Sequence, residues 1–204
     1  MRVSAIAACV IVLGLALPAG AQGLEFGAKG GVNLAKLSFD SDIGDTSLKI
    51  EPGLAAGGFM IWPLGGRLDV EVEGLYSVKS VSIDAGVAST KVRLDYIDVP
   101  VLARYRIAGS STSRKVHVLG GPVFGFRVRA ESIDDFGNDS FHRDITDEVK
   151  TFDIGVAIGG DWELGRFVVD GRYTFGLTNI SKDFADDGVK VKNRVITFLG
   201  GVRF

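Results

Sequence analysis

The 204 residues carry 23 Lys and Arg against 25 Asp and Glu, a formal charge of −2. That balance gives no electrostatic reason to expect a nucleic-acid partner. The single cysteine, Cys9, excludes a disulfide framework.

The first element is a leader. Arg2 precedes the apolar run Val3 to Leu17, then come Pro18 and the small-residue sequence Ala19-Gly20-Ala21, the pattern of a secretory signal with its cleavage site. Removal after Ala21 is expected, so residues 1–21 are a signal peptide and 22–204 a single mature domain starting at Gln22. Cys9, after Ile6-Ala7-Ala8, reads as leader filling. Loss of Arg2 leaves 22 basic residues against 25 acidic, and no later apolar stretch is long enough to cross a bilayer as a helix.

From Gln22 onward hydrophobicity alternates with period two, the strand period, in eight segments broken by Gly, Asp, Ser and Asn. They run approximately over 24 to 37, 50 to 62, 67 to 79, 91 to 107, 115 to 131, 149 to 164, 166 to 180 and 193 to 204. Such lengths exceed the usual five or six residues of soluble strands and suit tilted membrane strands of about nine to eleven. The connections alternate in size: Pro63-Leu64-Gly65-Gly66, Ala108 to Arg114 and Gly165 are short, whereas those near 38 to 49, 80 to 90, 132 to 148 and 181 to 192 are long and polar. Short turns at one end and long loops at the other predict an all-β, eight-stranded, antiparallel up-and-down transmembrane barrel in the outer membrane of a Gram-negative-type bacterium, with both termini periplasmic.

Two faces separate along the segments. In the third, Leu68, Val70, Val72, Tyr76 and Val78 oppose Asp69, Glu71, Glu73 and Ser77. In the fourth, Ile97, Val99, Val101, Tyr105 and Ile107 oppose Asp98, Leu102, Arg104 and Arg106, but Leu94 and Tyr96 are out of phase with the apolar set, which predicts a bulge or an exit from the bilayer near Tyr96, because one extra residue flips the alternation. Pro100 and Pro122 fall inside strands, where local bulging is expected to absorb the missing donors. In the fifth, Val116, Val118, Phe124, Phe126 and Val128 oppose His117, Arg127 and Arg129. In the sixth, Phe152, Ile154, Val156, Ile158, Trp162 and Leu164 oppose Asp153, Gly155, Ala157, Gly159, Asp161 and Glu163. In the seventh, Phe167, Val169, Tyr173, Phe175 and Leu177 oppose Val168, Asp170, Arg172, Thr174 and Thr178. In the last, Ile196, Phe198, Gly200, Val202 and Phe204 share a face.

Eight strands enclose a space that side chains fill. The inward set Lys29, Asp69, Glu71, Glu73, Asp98, Arg104, Arg106, Arg127, Asp153, Asp161, Asp170 and Arg172 mixes both signs and predicts a structural network of ion pairs, with Glu71 to Arg104 and Asp69 to Arg106 as cross-strand pairs. His117 and His142, the latter near Ser140 and Asp144, form no recognisable triad, so no catalytic residues are expected. The acidic runs Asp134 to Asp139 and Asp183 to Gly188 lack the twelfth-position glutamate of a calcium loop and read as solvated loops; neither metal nor cofactor is expected.

Several stretches resemble the PorT-like outer-membrane β-barrel family common in Bacteroidetes and related bacteria. They are Gly27-Ala28-Lys29-Gly30-Gly31-Val32-Asn33, Tyr96-Ile97-Asp98-Val99-Pro100, Gly120-Gly121-Pro122, Arg172-Tyr173 with Gly176-Leu177-Thr178-Asn179-Ile180, and Leu199 to Phe204. The resemblance implies location and architecture, not a reaction. Separately, the final aromatic, Phe204, at the end of the last strand resembles the C-terminal signal read by the outer-membrane assembly machinery. The expected role is structural or in surface interaction, with a side-chain-filled lumen and external loops as contact sites. The alternatives are a narrow transport barrel for small solutes and a lipid-modifying enzyme. Expected partners are membrane lipid, lipopolysaccharide, the assembly machinery and an unidentified surface partner.

Overall fold

A computed structural model describes residues 23–39, 48–84, 88–111, 114–136, 139–146, 149–178 and 191–204. The leader expected over 1–21, most of the loops near 38–49 and 181–192, and the acidic run 183–188 lie outside the described residues. The described chain folds into β1 (Glu25–Phe39), β2 (Leu48–Gly65), β3 (Leu68–Asp84), β4 (Ala88–Ser111), β5 (Arg114–Phe136), β6 (Asp139–Asp144), β7 (Phe152–Leu164), β8 (Phe167–Gly176) and β9 (Val191–Arg203).

Antiparallel pairing runs β4-β3-β2-β1-β9-β8-β7-β5, and β4 also pairs with β5, so eight strands close into a ring. Closure matters because an open edge would carry unpaired amides into hydrocarbon. The first and last strands pair with each other: β1 runs against β9 from Gly27 opposite Arg203 to Phe39 opposite Val191, and Phe204 donates its amide to the Phe26 carbonyl at 2.8 Å. The ninth strand, β6, lies outside the ring. It pairs with β5 over Glu131–Phe136, above the stretch of β5 that pairs with β7.

The alternation in the sequence becomes two surfaces. On β8, Val168, Asp170 and Arg172 are buried while Phe167, Val169 and Phe175 are exposed. On β7, Asp153, Ala157, Asp161 and Glu163 are buried, and Phe152, Val156, Ile158 and Trp162 are exposed. Most exposed aromatics fall in two tiers, with Phe198 between them. Near the short turns stand Trp62, Tyr105, Trp162, Phe167 and Phe204. Toward the long loops, one ladder row joins Tyr76, Ile97, Phe126 and Phe152 across four strands, with the Phe126 and Phe152 rings 5.2 Å apart. Ten residues separate Phe152 from Trp162 on β7; at the usual rise and a tilt near 40° that is about 25 Å, the height of the apolar band of an outer-membrane barrel.

Three local expectations need correction. The irregularity expected near Tyr96 does fall there, between Asp95 and Tyr96 in the β4–β5 ladder, but β4 keeps its phase: Leu94 and Tyr96 stay on its inward face, opposite Lys79 and Ser77, and both are buried. The extra residue is on the neighbouring strand, where Asp95 pairs with Arg129 and Tyr96 with Arg127, leaving Val128 as the bulge. Beyond it β5 reverses its faces, so Arg129, expected in the lumen, points outward to Glu131 and Ala130 turns inward. Pro100 and Pro122 cause no shift of register; the irregularities in β2 fall around Pro52 and at Pro63 instead.

Strands also run past their expected loop-side limits. β3 continues to Asp84, β4 begins at Ala88 and β5 reaches Phe136. Above the Tyr76 row, the ends of β2 to β5 together with β6 form a sheet that projects beyond the apolar band. Its sequence resembles loop sequence because Lys79, Ser80, Ser82 and Ser132 are buried there beside Val81 and Leu94, which blurs the hydrophobic alternation without removing the ladder.

Candidate functional site: the lumen and its mouth

Inside the turn-end half of the barrel, a charge cluster fills the cross-section. Lys29 of β1 donates to Glu73 at 2.9 Å and Asp170 at 3.0 Å, and pairs with Glu71. Arg172 of β8 makes two parallel bonds to Glu73, 2.9 and 2.8 Å, and reaches Asp170 at 3.0 Å through Nε and 2.5 Å through the terminal nitrogen. Arg104 of β4 makes a bidentate contact with Asp161, both bonds 2.9 Å, and donates to Glu163 at 2.8 Å. Its Nε lies 3.0 Å from Glu71, an ion pair rather than an aligned hydrogen bond, since that N–H is aimed at Asp161. Arg203 closes the base, bonding Glu25 at 2.6 Å and Glu163 at 3.0 Å.

This packing rests on strand register. Gly159 of β7 pairs opposite Arg172, and a Cβ at Gly159 would stand 2.7 Å from the Cβ of Arg172. An inward glycine therefore vacates the volume that the arginine enters. Without water to solvate these charges, cations and carboxylates must satisfy each other at hydrogen-bond distance.

Above the cluster the filling changes. Ala55, Leu75 and Leu199 form one apolar group, and Leu102, Leu119, Val123 and Ala157 another. Neutral polar side chains follow: Asn33 donates to Ser77 at 2.7 Å and accepts from Thr197 at 2.9 Å. A cavity of about 20 Å³ bounded in part by Asn33, Ser77, Asp98, Arg172 and Thr197 has room for roughly one water. Higher still, Lys79 bonds Asp98 at 3.1 Å and lies 4.1 Å over the Tyr96 ring, while Asp153 accepts from Asn193 at 2.8 Å and from Thr178.

At the mouth, Ile145 after β6 lies against the inner face of β4 and β5. Ile145 packs on Leu94, Tyr96 and Ala130, with Val92 and Val149 against them. The Ile145 amide donates to the Ala130 carbonyl at 3.1 Å, and the Arg127 guanidinium donates to the carbonyls of Val149 at 3.1 Å and Lys150 at 3.3 Å.

Of the expected network, Lys29, Glu71, Glu73, Arg104, Asp161, Asp170 and Arg172 come together in the cluster. Asp98 takes a separate partner, Lys79, while Arg127 and Asp153 serve the mouth through neutral groups. Asp69 and Arg106 do not pair: Arg106 donates to the Gly66 carbonyl at 2.8 Å, and among the described residues Asp69 has no ion pair. The cause is the register, which sets Asp69 opposite Arg104 and not opposite Arg106. Sequence reading left out Glu163 and His117, although both fall on inward alternates. His117 is buried, its Nδ1 2.8 Å from Asp161 and 3.3 Å from Arg104. His117, Asp161 and Glu163 bring possible metal ligands within 4.8 Å of one another, but Arg104 already occupies the acceptors between them. His142 is exposed on β6, remote in the ladder from His117, so the two histidines share no site.

A closed antiparallel ring with an apolar outer band, two aromatic tiers and charges confined to its lumen defines an outer-membrane β-barrel. The model of the outer membrane protein beta-barrel domain family matches residues 20–182, and the chain belongs to that family. No curated protein sequence matches the chain. Among solved structures it is similar to Ail, the attachment invasion locus protein of Yersinia pestis, in complex with the heparin analogue sucrose octasulfate, at 15% identity and TM-score 0.47, covering 89% of this chain and 99% of that one. It is also similar to Neisserial surface protein A, at 15% identity and TM-score 0.44 over 89% and 97% of the two chains. A third similar structure is OprG from Pseudomonas aeruginosa, at 13% identity and TM-score 0.43 over 89% and 96%.

Proposed function

We propose that the chain is a closed outer-membrane barrel with a structural or surface-interaction role, and that the projecting sheet and long loops are its contact surface outside the cell. The observation that carries this reading is the filled lumen: a cluster in which Arg104 and Lys29 together contact five carboxylates below, and Ile145 packed on Leu94 and Tyr96 above. A solute path would have to break buried ion pairs, each of which becomes costly once a partner is removed. No catalytic role belongs to this reading, because the partners of His117 are Arg104 and Asp161 rather than a serine.

The short turns, the start of β1 and the end of β9 share one rim, which supports a periplasmic placement for them. Phe204, exposed on the lipid side of the last strand, supports recognition by the assembly machinery. The Gly27 to Asn33, Tyr96 to Pro100 and Leu199 to Phe204 stretches support a PorT-like position within the family. Lipopolysaccharide is the expected neighbour of the projecting sheet. Planar-bilayer recording of the folded protein tests the closed lumen: no stable conductance step is expected, and a reproducible ohmic step would overturn it in favour of a narrow transport barrel.

A further inference from the structure

At the turn-end rim, a groove of about 280 Å³ is lined by Arg67, Arg106, Ile107, Ala108 and Gly109. Its two cations differ from the lumen cations in having no carboxylate partner among the described residues. Arg106 spends one terminal nitrogen on the Gly66 carbonyl, and its amide bonds the Arg67 carbonyl at 2.8 Å, which ties the β2–β3 turn to β4 as the two walls. The floor depends on Gly109: its φ is +84°, and a Cβ there would collide with the Arg114 carbonyl. Register slips between Arg106 and Ala108 and again before Ser111 splay β4 from β5 at this point.

The other wall is apolar. Ile107 is 52% exposed and follows Tyr105 by two positions on β4. Tyr105 in turn stands opposite Leu68 in the β3–β4 ladder, and both are exposed on the lipid side. The groove therefore joins the lower aromatic tier to a pair of guanidinium groups just beyond it.

We infer that this groove binds the headgroup of an anionic phospholipid of the inner leaflet, with the phosphate held by Arg67 and Arg106 and the start of an acyl chain along Ile107 and Tyr105. Guanidinium groups suit phosphate through paired, charge-assisted bonds, and the adjoining apolar wall selects a lipid over a free phosphate ester. The inference rests on the proposed placement of the turns in the periplasmic leaflet.

The test uses the full mature barrel folded in maltoside micelles, with binding read from the amide resonances of Arg67, Ile107 and Gly109. The probes are short-chain phosphatidylglycerol, short-chain phosphatidylcholine and glycerol phosphate. Saturable binding of phosphatidylglycerol is expected, with both other probes at least tenfold weaker. Arg67→Gln, which removes an exposed side chain and no internal bond, should weaken phosphatidylglycerol about tenfold, the scale of one charge-assisted contact. Arg166→Gln, at the exposed β7–β8 turn, should leave binding unchanged. Equal loss in both variants would mean only a diffuse basic rim, and equal binding of phosphatidylcholine or glycerol phosphate would likewise overturn the site. Heat-modifiable gel mobility of the same samples separates the two claims: a folded barrel without lipid preference sinks the groove alone, whereas a chain that stays soluble without detergent sinks the membrane placement beneath it.

Discussion

The turn-end half of the lumen and its loop-end half are filled by different physics. Below, Lys29 and Arg104 each contact more than one carboxylate on other strands, and Arg172 joins Glu73 of β3 to Asp170 of its own strand, so one cross-linked cluster ties β1, β3, β4, β7 and β8 across the barrel. Above, short polar bonds such as Asn193 to Asp153 sit under an apolar group in which Ile145 and Val149 meet Leu94 and Tyr96. Charges without water are strongly coupled and fail together, while an apolar group near the mouth yields locally. The lower half should thus govern the stability of the ring, and the upper half access to its mouth.

Arg104→Ala is the strongest way to break this comparison. It leaves Asp161, Glu163 and Glu71 without their shared cation, and a cost of about 3 to 5 kcal/mol is expected, read as a lowered midpoint of urea unfolding in detergent by heat-modifiable mobility. A midpoint equal to the parent's would remove the cluster from its stabilising role. Next in size is Ile145→Ala. Loss of this buried side chain should cost about 2 kcal/mol locally, seen as faster proteolysis near 145–151 with the unfolding midpoint of the ring held; coupled loss of the midpoint would show that this apolar group and the ring are one unit.

Tyr76→Phe sharpens the boundary between the apolar band and the projecting sheet. It deletes the 2.6 Å bond from the Tyr76 hydroxyl to Asp95, and about 1 kcal/mol is expected, measured in the same unfolding assay. The smallest effect concerns Asp144, at the end of β6 outside the apolar band. The side-chain and backbone bonds from Thr146, the latter 2.8 Å, hold its carboxyl below the ordinary aspartate value. The sign follows from linkage: a depressed folded value favours the turn above the unfolded pKa, and the benefit is lost as pH falls through the folded one. Titration of the Thr146 amide shift should therefore move at a lower pH than that of a free aspartate peptide; a shift at the free value would remove the contact.

Much of the wall was legible along the chain because an outer-membrane strand repeats one simple contrast. Trp162 beside Asp161 and Glu163, or Val169 beside Asp170, states which side chain meets lipid and which meets the lumen. The pairs inside were less legible. Glu71 and Arg104 could be placed at similar heights, but Lys29 to Asp170 joins residues 141 apart in sequence, a contact created only by ring closure. The same counting misassigned Asp69 and Arg106, where the rim turns Arg106 to a backbone carbonyl. The Val128 bulge was sensed one strand away from its true position, since an apparent change of phase in β4 reflects the change of face in β5.

The sequence alone determined the strand number of the ring, the two faces and the alternation of short and long connections, because each depends on a period of two and on local turn chemistry. Tertiary structure decided which charges meet, where β5 reverses its faces, that the ladder continues into a projecting sheet with β6 outside the ring, and that Ile145 lies against the inner face of β4 and β5 at the mouth. Those outcomes depend on register and curvature, which arise only when eight strands must pair around a closed circuit and the buried charges inside it must find one another.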